Sequence, residues 1–138
     1  MIIESINIPN TITRIREGCF LRCSILESIN IPTSISRLEN ETFSNCSSLT
    51  SISIPISVTS IGNRCFENCE LLSEIEIPWS VEFIGYQCFK GCTALTSIKI
   101  HQDWKILGNK LINERNGITQ TIEIPSNVKE INGKEKMK

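Results

Sequence analysis

Apolar residues recur along this chain at a spacing that proline marks. Four prolines lie 23 residues apart: Pro9, Pro32, Pro55 and Pro78. Eight positions counted from each proline carry apolar residues: +3, +6, +10, +11, +14, +17, +20 and +22. Across the four units, Thr42 is the single exception to this pattern. This regularity indicates a repeat protein whose units share one continuous core.

Each unit combines two periodicities. The segment LxxIxIP ends in alternating isoleucines, which predicts a short strand with one buried face that stops where proline lacks an N–H. The segment CFxxCxxL has apolar residues at i, i+1, i+4 and i+7, which predicts one face of about two helical turns. Between them, a second extended piece ends at Gly62, Gly85 or Gly108, where we expect a turn with positive φ. Arg16 and Glu39 hold that place in the first two units.

A unit this short cannot bury eight apolar side chains against itself, so neighbouring units must stack. We therefore predict an α/β solenoid of about five to six coils with parallel strands about 4.8 Å apart. Residues 1–100 contain a leading strand and four regular repeats. Residues 101–131 are interpreted as degenerate C-terminal repeats, and residues 132–138 as a frayed tail.

The units, written LxxIxIPxSVxxIGxxxFxxCxxL, resemble the leucine-rich repeats of the BspA-like type from residue 2 to about residue 131. The resemblance implies a right-handed superhelix with a parallel sheet on its inner face, and it makes Leu26, Ile29 and Ile31 core residues of that sheet. It also implies a role in protein binding, often as a surface adhesin. The family usually has alanine before the phenylalanine, where this chain has residues such as Cys65 and Cys88.

Charge and hydropathy disfavour several partner classes. The chain has 14 basic and 15 acidic residues and a net charge of -1, so its charge does not favour nucleic acid. No window is long and apolar enough to insert into a membrane, and the first residues lack the basic and apolar regions of a signal peptide. We therefore expect a cytoplasmic protein, and the family resemblance provides a cell-surface location as the alternative.

The seven cysteines form an odd set, which argues against a fully paired disulfide framework. Two CxxxC pairs occur in adjacent units: Cys65, Cys69, Cys88 and Cys92. Stacking would bring these four thiols together, as a zinc site requires. However, both columns coincide with core positions, and unliganded cysteine is among the most buried residue types. We interpret the cysteines as core residues and expect no metal and no other cofactor, with a thiol metal or redox protein as the alternative.

No group of residues indicates catalysis. His101, the single histidine, stands where other units have proline, and no nucleophile recurs at a spacing that would orient it. Glu74 and Glu76 face the same way on a predicted strand. Two exposed carboxylates lack the burial or confinement that shifts a pKa toward acid–base chemistry. The sequence therefore predicts a protein that is not an enzyme.

Two surfaces are candidates for binding a protein partner. The outward columns of the inner sheet, at +19 and +21, carry small polar and charged side chains of the kind solenoids use for binding. These residues are Ser28, Asn30, Ser51, Ser53, Glu74, Glu76, Ser97 and Lys99. The second candidate is an aromatic patch of Trp79, Phe83 and Tyr86, because tryptophan and tyrosine are common in interface hot spots. Ordinary solvation and packing at the core margin are the alternatives.

The first coil is expected to expose apolar side chains and an unpaired strand edge. Its isoleucines are Ile2, Ile3, Ile6 and Ile8. This end predicts either a homo-oligomer formed by self-association or a fragment of a longer array. Taken together, the sequence predicts a non-enzymatic protein–protein interaction module, and a surface adhesin for host or matrix protein is the alternative.

Overall fold

The computed structural model describes residues 4–100, 104–113, 119–132 and 134–135, which form short strands joined by turns. In chain order the strands are β1 (Ser5–Asn7), β2 (Ser28–Asn30), β3 (Arg37–Leu38), β4 (Ser60–Ile61), β5 (Glu74–Glu76), β6 (Phe83–Ile84), β7 (Ser97–Lys99), β8 (Lys105–Leu107), β9 (Lys110–Asn113), β10 (Gln120–Glu123), β11 (Glu130–Ile131) and β12 (Lys134–Glu135). We name residues 9–31, 32–54, 55–77 and 78–100 coils 1 to 4.

The first sheet crosses the coils at the LxxIxIP segments. Strand β1 pairs with β2 and β5 pairs with β7, all in parallel, and each residue lies opposite the residue 23 positions later. In coil 2 the sheet continues through single-residue bridges from Asn30 to Ser53 and from Ser53 to Glu76. One repeat is therefore one coil, and the predicted parallel register is confirmed.

A second parallel sheet is formed by β3, β4 and β6, where Arg37 lies opposite Ser60 and Ser60 opposite Phe83. In coils 2 to 4 the residues at all eight repeated positions are buried, including Thr42, whose hydroxyl donates to the Glu39 carbonyl at 2.7 Å. Coil 1 is less well covered, since within the described residues one regular coil, coil 2, packs against it. The core predicted from the sequence is confirmed from coil 2 onward.

The predicted helix at CFxxCxxL is wrong, because the N–H groups of this segment bond alternately to the next coil and to the carbonyl three residues earlier, as the Cys69 N–H does to the Phe66 carbonyl at 3.2 Å. The Phe43 N–H donates to the Cys65 carbonyl at 2.9 Å, and the Phe66 N–H donates to the Cys88 carbonyl at 3.1 Å. Left-handed φ angles recur in every coil at +9 and +13, at Gly18, Arg22, Glu41, Asn45, Arg64, Asn68, Gln87 and Gly91. The described residues therefore form a β-solenoid of about four turns without helix, instead of an α/β solenoid of five to six coils.

Gly62 and Gly85 do not have the positive φ that we expected. Instead, a Cβ added to Gly85 would lie 2.5 Å from the Cα of Asn63, and one added to Gly62 would lie 2.5 Å from the backbone nitrogen of Asn40. At this corner the side-chain oxygen of Asn63 accepts the Tyr86 N–H at 3.0 Å. Glycine is required here because adjacent coils approach closely.

The C-terminal segment departs from parallel stacking. Strands β8, β9 and β10 form an antiparallel sheet, and the turn between β8 and β9 contains Gly108 with φ of 60°. The Gln120 side chain donates to the Ile84 carbonyl at 2.5 Å and accepts the Ile84 N–H at 3.3 Å, so it pairs like a backbone at the end of the second sheet. Strand β11 then pairs with β7, and β12 pairs with β11 antiparallel. These residues cover the last edges of both sheets.

Candidate functional site

The outward face of the first sheet carries the polar columns predicted from the sequence. Alternation places buried Ile29, Ile52, Ile75 and Ile98 on the core side, so their neighbours face solvent. Six of the eight predicted residues line one depression of about 360 Å³: Ser51, Ser53, Glu74, Glu76, Ser97 and Lys99. Ser28 and Asn30 lie on β2, beside coil 2, and the Asn30 amide donates to the Asn7 side chain at 2.8 Å.

The chemistry that this depression offers is hydrogen bonding and charge. Glu76 lies opposite Lys99 in register, and Glu74 lies opposite Ser97. Small hydroxyl groups leave space above the sheet, while the carboxylates and the ammonium group supply acceptors and donors. The arrangement suits the N–H and C=O groups of an extended partner chain.

The three predicted aromatic residues have different surroundings. Trp79 is exposed and borders a second depression together with Ile56 and Ile100. Phe83 lies on β6 in the second sheet, half of its surface being exposed. Tyr86 lies under the Arg64 guanidinium, 4.9 Å from the ring centroid, and borders a groove against β10. A single aromatic patch stays a prediction.

The cysteines form a ladder within the core. Cys46, Cys65, Cys69, Cys88 and Cys92 are buried, whereas Cys19 is exposed and Cys23 is half-buried. The thiols of Cys46, Cys69 and Cys92 each donate to the carbonyl of a phenylalanine in the preceding coil, at 3.0 to 3.2 Å. Burial raises the pKa of Cys46 and of Cys92 to about 12. Core packing therefore explains the CxxxC pairs of coils 3 and 4 and the single Cys46 of coil 2, and no metal-ligating cluster occurs within the described part of the chain.

We expect two thiols to react with an aromatic disulfide reagent in the native protein at pH 8 and the other five only in denaturant. Cys19 and Cys23 are the reactive pair, because the remaining thiols are buried and burial disfavours their thiolate form. Titration of thiols with and without urea measures both numbers. Release of four or more thiols without denaturant would contradict the buried ladder.

A cluster of arginines around Glu39 at the second sheet was not predicted from the sequence. The Arg14 Nε donates to the Glu39 carboxylate at 3.0 Å. Arg14, Arg37 and Arg16 all lower the pKa of this carboxyl, and the hydrogen bond from Arg14 has the largest effect. The signal was available, since Arg14 and Arg37 share position +5 of their repeats.

Strand β1 and coil 1, at the N-terminal end of the solenoid, include exposed apolar side chains. Ile12, Leu21 and Ile25 are each about two-fifths exposed, and Ile6 is half-buried while Ile8 is buried. Strand β1 pairs with β2, and no other strand in the described ranges pairs with it. Ile2, Ile3 and His101 lie outside the described residues. Self-association through this end stays a prediction.

Comparisons with known proteins agree with this architecture. A model of the BspA type leucine-rich repeat region matches six copies, over residues 2–119 and 60–135. No curated protein matches the chain significantly. Within the described ranges, no helix is long and apolar enough to cross a membrane.

Three solved structures share the fold. A leucine-rich repeat protein from Bacteroides ovatus is 32% identical over 92% of this chain, with a TM-score of 0.63. The T. pallidum leucine-rich repeat protein TpLRR is 21% identical over 95% of the chain (TM-score 0.69), and the pneumococcal vaccine antigen PcpA is 20% identical over 93% (TM-score 0.74). The aligned region spans 39%, 70% and 29% of those three chains. This chain therefore belongs to the family of BspA-type leucine-rich repeat proteins.

Proposed function

We propose that this protein is a non-enzymatic interaction module that holds an extended segment of a partner protein on the outward face of its first sheet. Leucine-rich repeat proteins are typically protein-interaction scaffolds and are generally not enzymes. The observation that carries the proposal is the row of polar side chains in parallel register that lines the depression from Ser51 to Lys99.

The geometry supports binding because the packed core holds the outward side chains of this face in a regular array. Each outward side chain lies beside an isoleucine that is buried in the core, as Glu74 and Glu76 lie on either side of Ile75. A preorganised surface loses little conformational entropy on association. Because serine side chains are short, they leave room for the backbone of a partner to approach the sheet.

A triple variant with Ser28, Ser51 and Ser97 changed to arginine tests the proposed face. Arginines at positions 51 and 97 would cover the depression and the one at position 28 the neighbouring part of the face. The core should survive because all three positions point away from it. We expect the wild-type chain to capture a partner from extract, and the variant to lose at least 90% of it, which is about one factor of ten in affinity. Quantitative mass spectrometry of the captured proteins measures the loss.

The matched control places the same three charges elsewhere, at the exposed residues Ser24, Thr33 and Thr93. This control should retain the partner, and circular dichroism should show that both variants are folded. Equal capture by the wild type and the first-sheet variant would refute binding at this face and direct attention to Trp79 and Phe83. A homo-oligomer through coil 1, and a cytoplasmic or cell-surface location, are further proposals about the same module.

A further inference from the structure

The outward face of the second sheet changes from basic to aromatic along the solenoid. Arg37, Ser60 and Phe83 stand in register on β3, β4 and β6. Adjacent strands lie about 4.8 Å apart, so the positions of Arg37 and Phe83 are about 10 Å apart across the sheet. Arg14 extends the row into coil 1, where its guanidinium meets Glu39. We name Arg14, Arg37, Ser60 and Phe83 the second-sheet face.

Arginine side chains are concentrated at the basic end of this face, and not all of them are paired with a carboxylate. Three arginines, Arg14, Arg16 and Arg37, surround the single carboxylate of Glu39. Arg14 donates to that carboxylate, whereas Arg16 and Arg37 make no side-chain hydrogen bond or ion pair with any residue that the structure describes. The nearby Glu17 carboxylate accepts from Asn40 at 3.0 Å. The chain as a whole is slightly acidic, so this excess of cations is local.

The shape of the face is suited to a linear ligand. Two grooves adjoin each other and share Arg37 and Glu39 in their linings. One of them, about 420 Å³ in volume, extends to Arg14. The other, about 300 Å³, extends across Ser60 to Phe83, whose ring is half exposed. A ligand in both grooves would therefore contact guanidinium groups at one end and an aromatic ring at the other.

We propose that the second-sheet face docks an acidic peptide segment that carries an apolar side chain about three residues from its acidic group. An extended chain advances about 3.3 Å per residue, so three residues span the distance from Arg37 to Phe83. Carboxylates match the fork of donors on a guanidinium. A nucleic acid fits less well, because three arginines and one glutamate provide few phosphate contacts and no basic stripe continues past Ser60. This surface is separate from the first-sheet face.

Fluorescence anisotropy tests the proposal at 150 mM salt with the labelled peptide acetyl-Asp-Asp-Gly-Ser-Phe, whose C-terminal carboxyl group is joined through an amide bond to a fluorescein-bearing linker. We expect saturable binding. The Arg37→Ser and Phe83→Ser variants should each weaken it by about tenfold, as expected for losing a charge-assisted contact or an apolar anchor. The Glu39→Gln variant should strengthen binding severalfold, because Glu39 competes with the peptide for the same arginines.

The control variant Lys90→Ser removes an exposed cation outside this face and should bind like the wild type. A peptide with two lysines in place of the aspartates should not bind. The absence of saturable binding, equal losses in Lys90→Ser and Arg37→Ser, or weaker binding by Glu39→Gln would each overturn the proposal. Each of these results leaves the first-sheet face untouched, so the two proposals fail separately.

Discussion

Replacement of Phe66 by alanine is expected to lower the free energy of unfolding by about 3 to 5 kcal/mol, the range for a phenylalanine removed from a packed core. The Phe66 ring is fully buried. It lies between the parallel rings of Phe43 and Phe89, at centroid distances of 5.7 and 6.2 Å. Its loss would remove both ring contacts and leave a cavity between coils that cannot close without breaking their register. Urea unfolding followed by circular dichroism measures the change.

Phe20→Ala is the matched control, because Phe20 occupies the same column at the first coil. Its ring is only partly buried and stacks on one ring alone, that of Phe43, at 5.6 Å. We expect a loss of about 1 to 2 kcal/mol, since less surface leaves the core. Equal losses at Phe20 and Phe66 would show that the phenylalanine stack is not the element that joins the coils.

Gly85→Ala is the second substitution with a large expected effect, a loss of about 3 kcal/mol, at the upper end of what overpacking usually costs. The new methyl group would collide with the backbone of Asn63 in the preceding coil. Backbone cannot rotate away as a flexible side chain can. Relief would stretch two bonds between these coils: Gly85 N–H to the Ile61 carbonyl at 2.8 Å, and Tyr86 N–H to the Asn63 side chain at 3.0 Å.

Gly18→Ala provides a comparison in which glycine is needed for a different reason. Gly18 has φ of 66°, and an added Cβ would meet its nearest atoms, in Leu21, at an ordinary 3.8 Å. The cost is therefore conformational, about 1 to 2 kcal/mol. Thermal unfolding of both variants separates the two causes. A loss at Gly85 no larger than that at Gly18 would contradict the close approach of coils 3 and 4.

The second sheet illustrates how neighbours along the solenoid differ from neighbours in the chain. Arg14 and Glu39 are 25 residues apart, yet they form an ion pair because they lie in adjacent coils. The same rule places Arg37 and Phe83, which lie two coils apart, along one groove. Comparing the same position in successive repeats reveals such groups once the register is known. This comparison identified the polar columns of the first sheet. It does not show which adjacent side chains share a groove.

The 23-residue period by itself determined the stacking, the parallel register and the core positions of coils 2 to 4, because only one arrangement buries every repeated apolar position. The tertiary structure alone decided that CFxxCxxL forms turns, since apolar spacing does not reveal whether N–H groups bond within a segment or to the next coil. It also decided why Gly85 is glycine and how β10 and β11 cover the last coil. These features depend on distances between backbones from different coils, which no local pattern along the chain encodes.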